Sequence, residues 1–188
     1  MVIFTEGFDK STTLLDTWNA GTSAISNVGR TGSGGQTQSN AVSTKQVAVA
    51  NEHATFILGM AINRAASAMF EMRFLSDSLA TTHVTVQITA TGELKVFRGT
   101  SGGTQLGSTT GPNLVPSGAW TYVEAKVTLS ETVGVVTIRV NGVQQFTISS
   151  ADTKNAGTKP VLEGFGVAAV GGVGSPIDDI VLLNGAGS

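Results

Sequence analysis

Residues 119–149 read AWTYVEAKVTLSETVGVVTIRVNGVQQFTIS, and their pattern decides the fold. In the first limb Val123, Ala125, Val127 and Leu129 fall on one side of an extended chain, and Trp120, Tyr122, Glu124, Lys126 and Thr128 fall on the other. That alternation is a period-two strand with one apolar and one polar face. After the turn SETVG, Val136, Ile138 and Val140 repeat the apolar stripe against Thr137, Arg139 and Asn141, so the two limbs can share one buried face. Asn141-Gly142 then closes the second limb with the dipeptide that best tolerates the positive φ angles of a two-residue hairpin turn. A strict turn of that kind pairs Val140 with Val143 and sends Gln145 and Thr147 to the core side instead of Phe146 and Ile148. A bulge near Gln144-Gln145, or a longer turn, is expected to restore the register. Three antiparallel strands with one apolar face need a second sheet to cover it.

The remainder of the chain has the composition for that partner. Gly occurs 24 times, only 13% of residues are charged, and Thr, Val and Ser are abundant. No apolar run has helical spacing, so the expected class is all-β. With 188 residues the chain can bury roughly 70% of its unfolded surface around one core. One domain over residues 1–188 is expected, with 184–188 as a short flexible tail.

In chain order, residues 2–5 form a short strand, and Phe8, Leu14, Leu15 and Trp18 anchor a polar segment to the sheet edge. Residues 22–28 suit a strand, and GRTGSGGQTQSN (29–40) reads as an exposed loop or a glycine-rich edge hairpin. A phosphate-cradling loop would need GxxxxGK[ST] and a following helix, and both are missing. TFILGMAI (55–62) and AMFEMRFL (68–75) are strong strands, with Phe70, Met72 and Phe74 inward and Glu71 and Arg73 outward. Together with Glu124, Lys126 and Arg139 these charges suggest a solvated ladder of cross-strand pairs, preferred to paired catalytic carboxylates. Residues 83–89 and 94–98 form a hairpin, a brief strand lies near Gln105-Leu106, and Pro112 and Pro116 suit a surface crossing. Residues 161–170 and IDDIVLL (177–183) complete about a dozen short strands without crossover helices, the pattern of a sandwich or jelly roll.

Four segments at these relative positions, GFDKSTTLLDTW (7–18), GRTGSGG (29–35), residues 120–143 and IDDIVLL, resemble the concanavalin A-like jelly rolls of the laminin G and lectin/glucanase group. More narrowly the chain is similar to those found in virion proteins of tailed bacteriophages. The resemblance implies a two-sheet antiparallel β-sandwich whose first and last strands are neighbours. Relatives use this fold for calcium, sugar binding or glycoside hydrolysis, so each function needs its own residues here.

Retaining glycosidases of this fold carry ExDxxE on one strand, holding two carboxylates about 5 to 5.5 Å apart. The sequence has no such pattern; Glu71, Glu93, Glu124 and Glu163 each stand alone. His53 and His83 lie in separate segments without ligand spacing, and both read as surface or strand-edge histidines. Asp178-Asp179 is the best polar constellation and the candidate metal pair. Calcium wants several oxygens, and the preferred alternative has one Asp fixing the turn through backbone N–H groups while the other faces solvent. Trp120 and Tyr122 share an outer face and are the candidate ligand or partner contact, unless a neighbouring loop covers them.

A net charge of −2 without a basic cluster argues against nucleic acid, and absent cysteine removes disulfide and thiolate chemistry. No stretch approaches the ~20 apolar residues of a membrane span, and MVIFTEGFDK lacks the features of a signal peptide. The expectation is a non-enzymatic phage structural protein without cofactors, made in the host cytoplasm and residing in the virion. Its partners would be the major capsid protein or other virion proteins, which it would cement as a decoration protein, with a homo-oligomer such as a trimer. The alternative is a carbohydrate-binding domain of a tail fibre or adhesin, with a glycan as ligand.

Overall fold

The computed structural model describes residues 1–7, 18–19, 24–26, 29–30, 35–38, 42–108, 111–157, 159–171 and 174–185. Phe8, Leu14 and Leu15, and most of the glycine-rich stretch 31–41, lie outside these residues.

Fourteen strands follow one another: β1 Val2–Glu6, β2 Ala24–Ser26, β3 Gly35–Gln38, β4 Ser43–Gln46, β5 Thr55–Asn63, β6 Met69–Ser76 and β7 Thr81–Ile88, then β8 Leu94–Arg98, β9 Thr104–Ser108, β10 Trp120–Thr128, β11 Gly134–Val140, β12 Val143–Ala151, β13 Gly164–Val170 and β14 Ser175–Asn184. Among the described residues they form two antiparallel sheets. One has eight strands in the order β12-β11-β10-β5-β14-β3-β2, with β1 also on β14; the other has six in the order β4-β13-β6-β7-β8-β9.

The decisive stretch folds as its alternation predicts. Val123 faces Val140, Ala125 faces Ile138 and Val127 faces Val136, so the stripes of β10 and β11 merge into one buried surface. Asn141 and Gly142 take the turn with φ of 49° and 80°. The expected bulge is present. Arg139 pairs with Gln144 and Ile138 with Phe146, which leaves Gln145 as the extra residue and returns Phe146 to the inner side. As expected, β1 lies beside β14, with Val2 opposite Leu183.

Between the sheets, Phe56, Leu58, Met60 and Ile62 of β5 meet Phe70, Met72 and Phe74 of β6 and Val84, Val86 and Ile88 of β7, all fully buried. Each such side chain contributes roughly 1.5–3 kcal/mol by leaving water. Trp18 is part of this core and not an edge anchor. Its ring stands edge-on to Phe165 at 5.3 Å and to Phe4 at 6.4 Å.

The glycine-rich region takes the hairpin alternative, with β2 on β3 at the sheet edge. Two features depart from expectation. A further strand, β4, has a sequence, STKQ, that carries no apolar signal. β4 is held by backbone pairing with β13, where Gly166 faces Thr44. The tail is also shorter than expected, because backbone partners continue past Leu183. Asn184 is buried and donates its N–H to Met1 O at 3.1 Å, and Gly185 donates to Thr55 O at 2.8 Å.

One end of the sandwich is fastened by a charged side chain. Arg64, only 3% exposed, donates Nε to Val115 O at 3.0 Å and Nη1 to the carbonyls of Ala90 at 2.8 Å, Ala65 at 3.3 Å and Ala68 at 3.4 Å. It ties together the β5–β6 connection, the β7–β8 turn and the crossing between β9 and β10.

Candidate functional site

Alternation on β6 sends Phe70, Met72 and Phe74 inward, which places Glu71 and Arg73 on the outer face of the six-stranded sheet. Register then builds two rows across the strands. Ala168, Glu71, Gln87, Lys95 and Ser108 face one another in turn, and beside them run Gly166, Arg73, Thr85, Phe97 and Gln105. Glu71 is only 1% exposed although it lies on an outer face. An isolated carboxylate so placed would be very costly. Arg73 compensates it, with Nη2 at 2.6 Å and Nε at 2.9 Å from Oε2, while the Gln87 amide donates to Oε1 at 3.4 Å. These charge-assisted bonds hold the guanidinium and amide in fixed orientations. Among the described residues Arg73 Nη1 and Gln87 Oε1 have no hydrogen-bond partner. The nearly buried Phe97 ring adds an apolar element to the second row, and Lys95 lies 3.6 Å from Glu93.

The expected solvated ladder therefore needs correction. Glu71 and Arg73 belong to one sheet, whereas Glu124, Lys126 and Arg139 belong to the other, so they share no face. The Glu71–Arg73 pair runs along a strand and is largely withdrawn from solvent, while Glu124–Arg139 is a true cross-strand pair at 3.2 Å.

The four residues singled out from the sequence all sit on the outer face of the eight-stranded sheet. Across β14, β5 and β10, Asp178 faces Ala61, which faces Tyr122. The Tyr122 ring lies over Gly59, where a Cβ would collide with the phenol oxygen and approach Cζ to 2.9 Å; glycine is required for this close approach. Burial pushes the Tyr122 phenol pKa up, and the charges of Glu124 and Asp179 push it further. Trp120 stands partly exposed two residues away on the same strand face.

Asp178 and Asp179 do not point to opposite faces, as a regular strand would require. Asp179 has φ of 49°, and β14 advances three residues, from Asp178 to Val181, while β5 advances two. This bulge lets both carboxylates reach Arg30. Asp178 accepts its backbone N–H at 2.9 Å together with that of Asp179 at 2.8 Å, and Asp179 lies 2.7 Å from its guanidinium. The pair is thus engaged by a cation and by backbone donors. Among the described residues no group of three or more His, Asp and Glu side chains is placed to hold a metal ion.

The two histidines separate. His53 is at a strand edge, bridged to Leu162. His83 is fully buried, contrary to the surface reading, because the connection from β12 to β13 packs over it. Its Nδ1 accepts the Asn155 N–H at 3.0 Å, and its Nε2 lies 2.7 Å from Ser76 Oγ. Ser76 Oγ in turn lies 3.3 Å from Asp77 Oδ2. The same connection is latched by Ser78 N–H on Glu163 at 2.6 Å and by the Lys159–Glu163 ion pair.

Burial lowers the His83 pKa, with the Asp77 charge opposing and the Lys154 charge assisting. A native pKa below the unfolded value means that the unfolded chain binds the proton first as pH falls. Stability is therefore complete above about pH 6.5 and declines below it, by up to about 1.36 kcal/mol per pH unit, until the native group also protonates. Melting temperatures measured from pH 7.5 to 5 should show this decline. His83→Asn, which retains an acceptor for the Asn155 amide, should flatten it.

The buried Glu71–Arg73–Gln87 array is the feature that reading the sequence missed. EMR and VQI lie on successive strands joined by a short turn, and pairing Phe70 with Ile88 brings the three polar groups together.

No family model and no curated protein matches the chain. Solved structures do. An endo-β-1,4-glucuronan lyase from Trichoderma reesei aligns with a TM-score of 0.59 and 13% identity, over 98% of this chain and 96% of the lyase. The carbohydrate-binding module CBM66 from Bacillus subtilis aligns with 0.58 and 12% identity, over 87% and 93%. A carbohydrate esterase of the Shiga toxin-encoding bacteriophage phi24B aligns with 0.59 and 13% identity, over 98% and 99%. The fold is accordingly an all-β, two-sheet antiparallel sandwich of the concanavalin A-like kind, as the resemblance implied.

Proposed function

We propose that this domain binds polysaccharide on the outer face of its six-stranded sheet, in preference to the shell-cementing role expected from the sequence. The observation that carries the reading is the Glu71–Arg73–Gln87 array. Its guanidinium and amide are immobilised by a buried carboxylate, yet among the described residues retain an unused donor at Arg73 Nη1 and an unused acceptor at Gln87 Oε1. Rigid planar groups of this kind suit sugar hydroxyls, because little conformational entropy is lost when they bind. Lys95, Gln105 and Ser108 extend the polar surface across β8 and β9. From β6 to β9 these positions span about 14 Å at the usual strand spacing, a length suited to a chain rather than one sugar.

A binding role is favoured over catalysis because the buried Glu71 carboxylate of this face is engaged by Arg73 and Gln87, and His83, which shares the face by alternation, is covered by the connection from β12 to β13. Glycan-directed structural neighbours add support at the level of fold. A tail fibre or adhesin remains a fitting setting for such a domain.

The test is calorimetric titration against acidic and neutral polysaccharides. Gln87→Ala and Lys95→Ala should each weaken binding at least ten-fold; Lys95→Ala should leave the melting temperature within about 2 °C, whereas Gln87→Ala, which strips a donor from the buried Glu71, should lower it by a few degrees. Absence of binding to every polymer in a broad panel, or full affinity in both variants, would reject this site.

A further inference from the structure

The opposite face of the molecule carries a depression of about 320 Å³ lined by Ile57, Glu124, Lys126, Thr137, Arg139 and Gln144. Four strands supply it by register. Ile57 of β5 faces Lys126 of β10, which faces Thr137 of β11; one row along, Glu124 faces Arg139, which faces Gln144 of β12. The β12 bulge at Gln145 lies beside it, and bulges commonly re-aim side chains next to binding sites.

We propose that this depression is a second carbohydrate site, taking a single acidic sugar residue of the uronic acid class. Its volume is at the lower end of the range for small-ligand sites, about 300–1,000 Å³. Lys126 and Arg139 bring cations to the lining, and the Arg139 guanidinium is the one placed to take a ligand's negative charge. Arg139 uses Nη1 to hold Glu124 Oε1 at 3.2 Å and makes no other hydrogen bond among the described residues, so the rest of its planar fork is available to a carboxylate. Glu124 Oε2 and the Gln144 amide likewise have no hydrogen-bond partner among the described residues and can take ring hydroxyls, as acceptor and as donor. Thr137 shares its hydroxyl with Thr147 at 3.2 Å, and Ile57 gives the apolar patch on which a pyranose C–H face can rest. Convergent polar groups with open valences around one aliphatic side chain match the chemistry of a charged sugar better than that of an apolar ligand or a flat protein partner.

This site stands on its own geometry, on the sheet opposite Glu71 and Arg73, and would make the domain bivalent for glycans. Residue-resolved NMR titration of the full chain with sodium glucuronate separates the two sites. Saturable shifts are expected at the amides of Ile57, Glu124, Thr137, Arg139 and Gln144, weakened at least ten-fold by Arg139→Ala and by Gln144→Ala and unaffected by Gln87→Ala. Both weakening substitutions are on exposed side chains, and an unchanged spectrum elsewhere certifies the fold. The proposal is overturned if these amides do not shift, if acetate at equal ionic strength reproduces the shifts with the same affinity, or if Gln87→Ala abolishes them.

Discussion

Ile138→Asp should leave this domain without a cooperative unfolding transition at room temperature. Ile138 is fully buried at the centre of β11, between Ala125 on β10 and Phe146 on β12, and faces the second sheet. Losing the aliphatic side chain alone costs about 2–5 kcal/mol in a core of this kind. The introduced carboxylate then has no donor among the aliphatic and aromatic side chains around it, and must either stay charged in a low dielectric or take up a proton. The sum approaches or exceeds the whole stability of a typical domain, about 5–15 kcal/mol. Ile138→Val is the control; it removes one methylene and should cost only about 0.5–1.5 kcal/mol. Circular dichroism melting of both variants decides the matter. A soluble aspartate variant with an unchanged melting temperature would mean that this face of β11 is not the inner one.

The same residues show how far the sequence alone reaches. Alternation is a local signal, so the strands from Phe56 to Leu75 and from Val84 to Val140 could be read residue by residue, down to the extra residue at Gln145. Charge partners are a matter of register between strands, and there the reading failed in an instructive way. Glu71, Arg73, Glu124 and Arg139 all alternate outward, but outward of which sheet depends on topology that no short window contains. Glu71 faces Gln87 through a hairpin, and that pairing withdraws the carboxylate from solvent. His83 was misjudged for a similar reason. Its burial comes from Asn155, 72 positions later, in a connection without apolar pattern. Asp178 takes the expected role of accepting backbone N–H groups, but the side on which Asp179 lies could not be read, because its left-handed φ is a single backbone choice that sets both side chains on Arg30. Trp120 and Tyr122 were correctly placed on one outer face. What their partners are follows from β5, where Gly59 gives the tyrosine ring its seat.

Arg64→Met should lower stability by about 3–5 kcal/mol, the largest effect expected from any single polar side chain in this fold. Methionine fills similar space without donors, so the carbonyls of Val115, Ala65, Ala68 and Ala90 lose their shared partner. Each backbone acceptor left unsatisfied in the interior costs about 1–3 kcal/mol, less where water can follow it. Among the described residues no carboxylate lies within ion-pair distance of Arg64, and desolvation of the buried side chain draws its pKa down from the ordinary value. That cost offsets part of the gain, which is why the expected loss stays below the sum over four carbonyls. For a chain of this size each kcal/mol corresponds to about 2–4 °C, giving a fall of roughly 10–15 °C. Arg64→Lys should recover only part of it, because one compact ammonium cannot span acceptors on three separate connections as the planar fork does. The damage should also be local. Gly118 donates to the Arg64 carbonyl at 3.0 Å and Val115 to Gly92 at 3.1 Å, so both amides should exchange with solvent faster in Arg64→Met. Amides in the β10–β11 ladder should change only as far as global stability falls. A melting temperature within 2 °C of wild type would show that water replaces the guanidinium at this end of the sandwich, and that the three connections hold together without it.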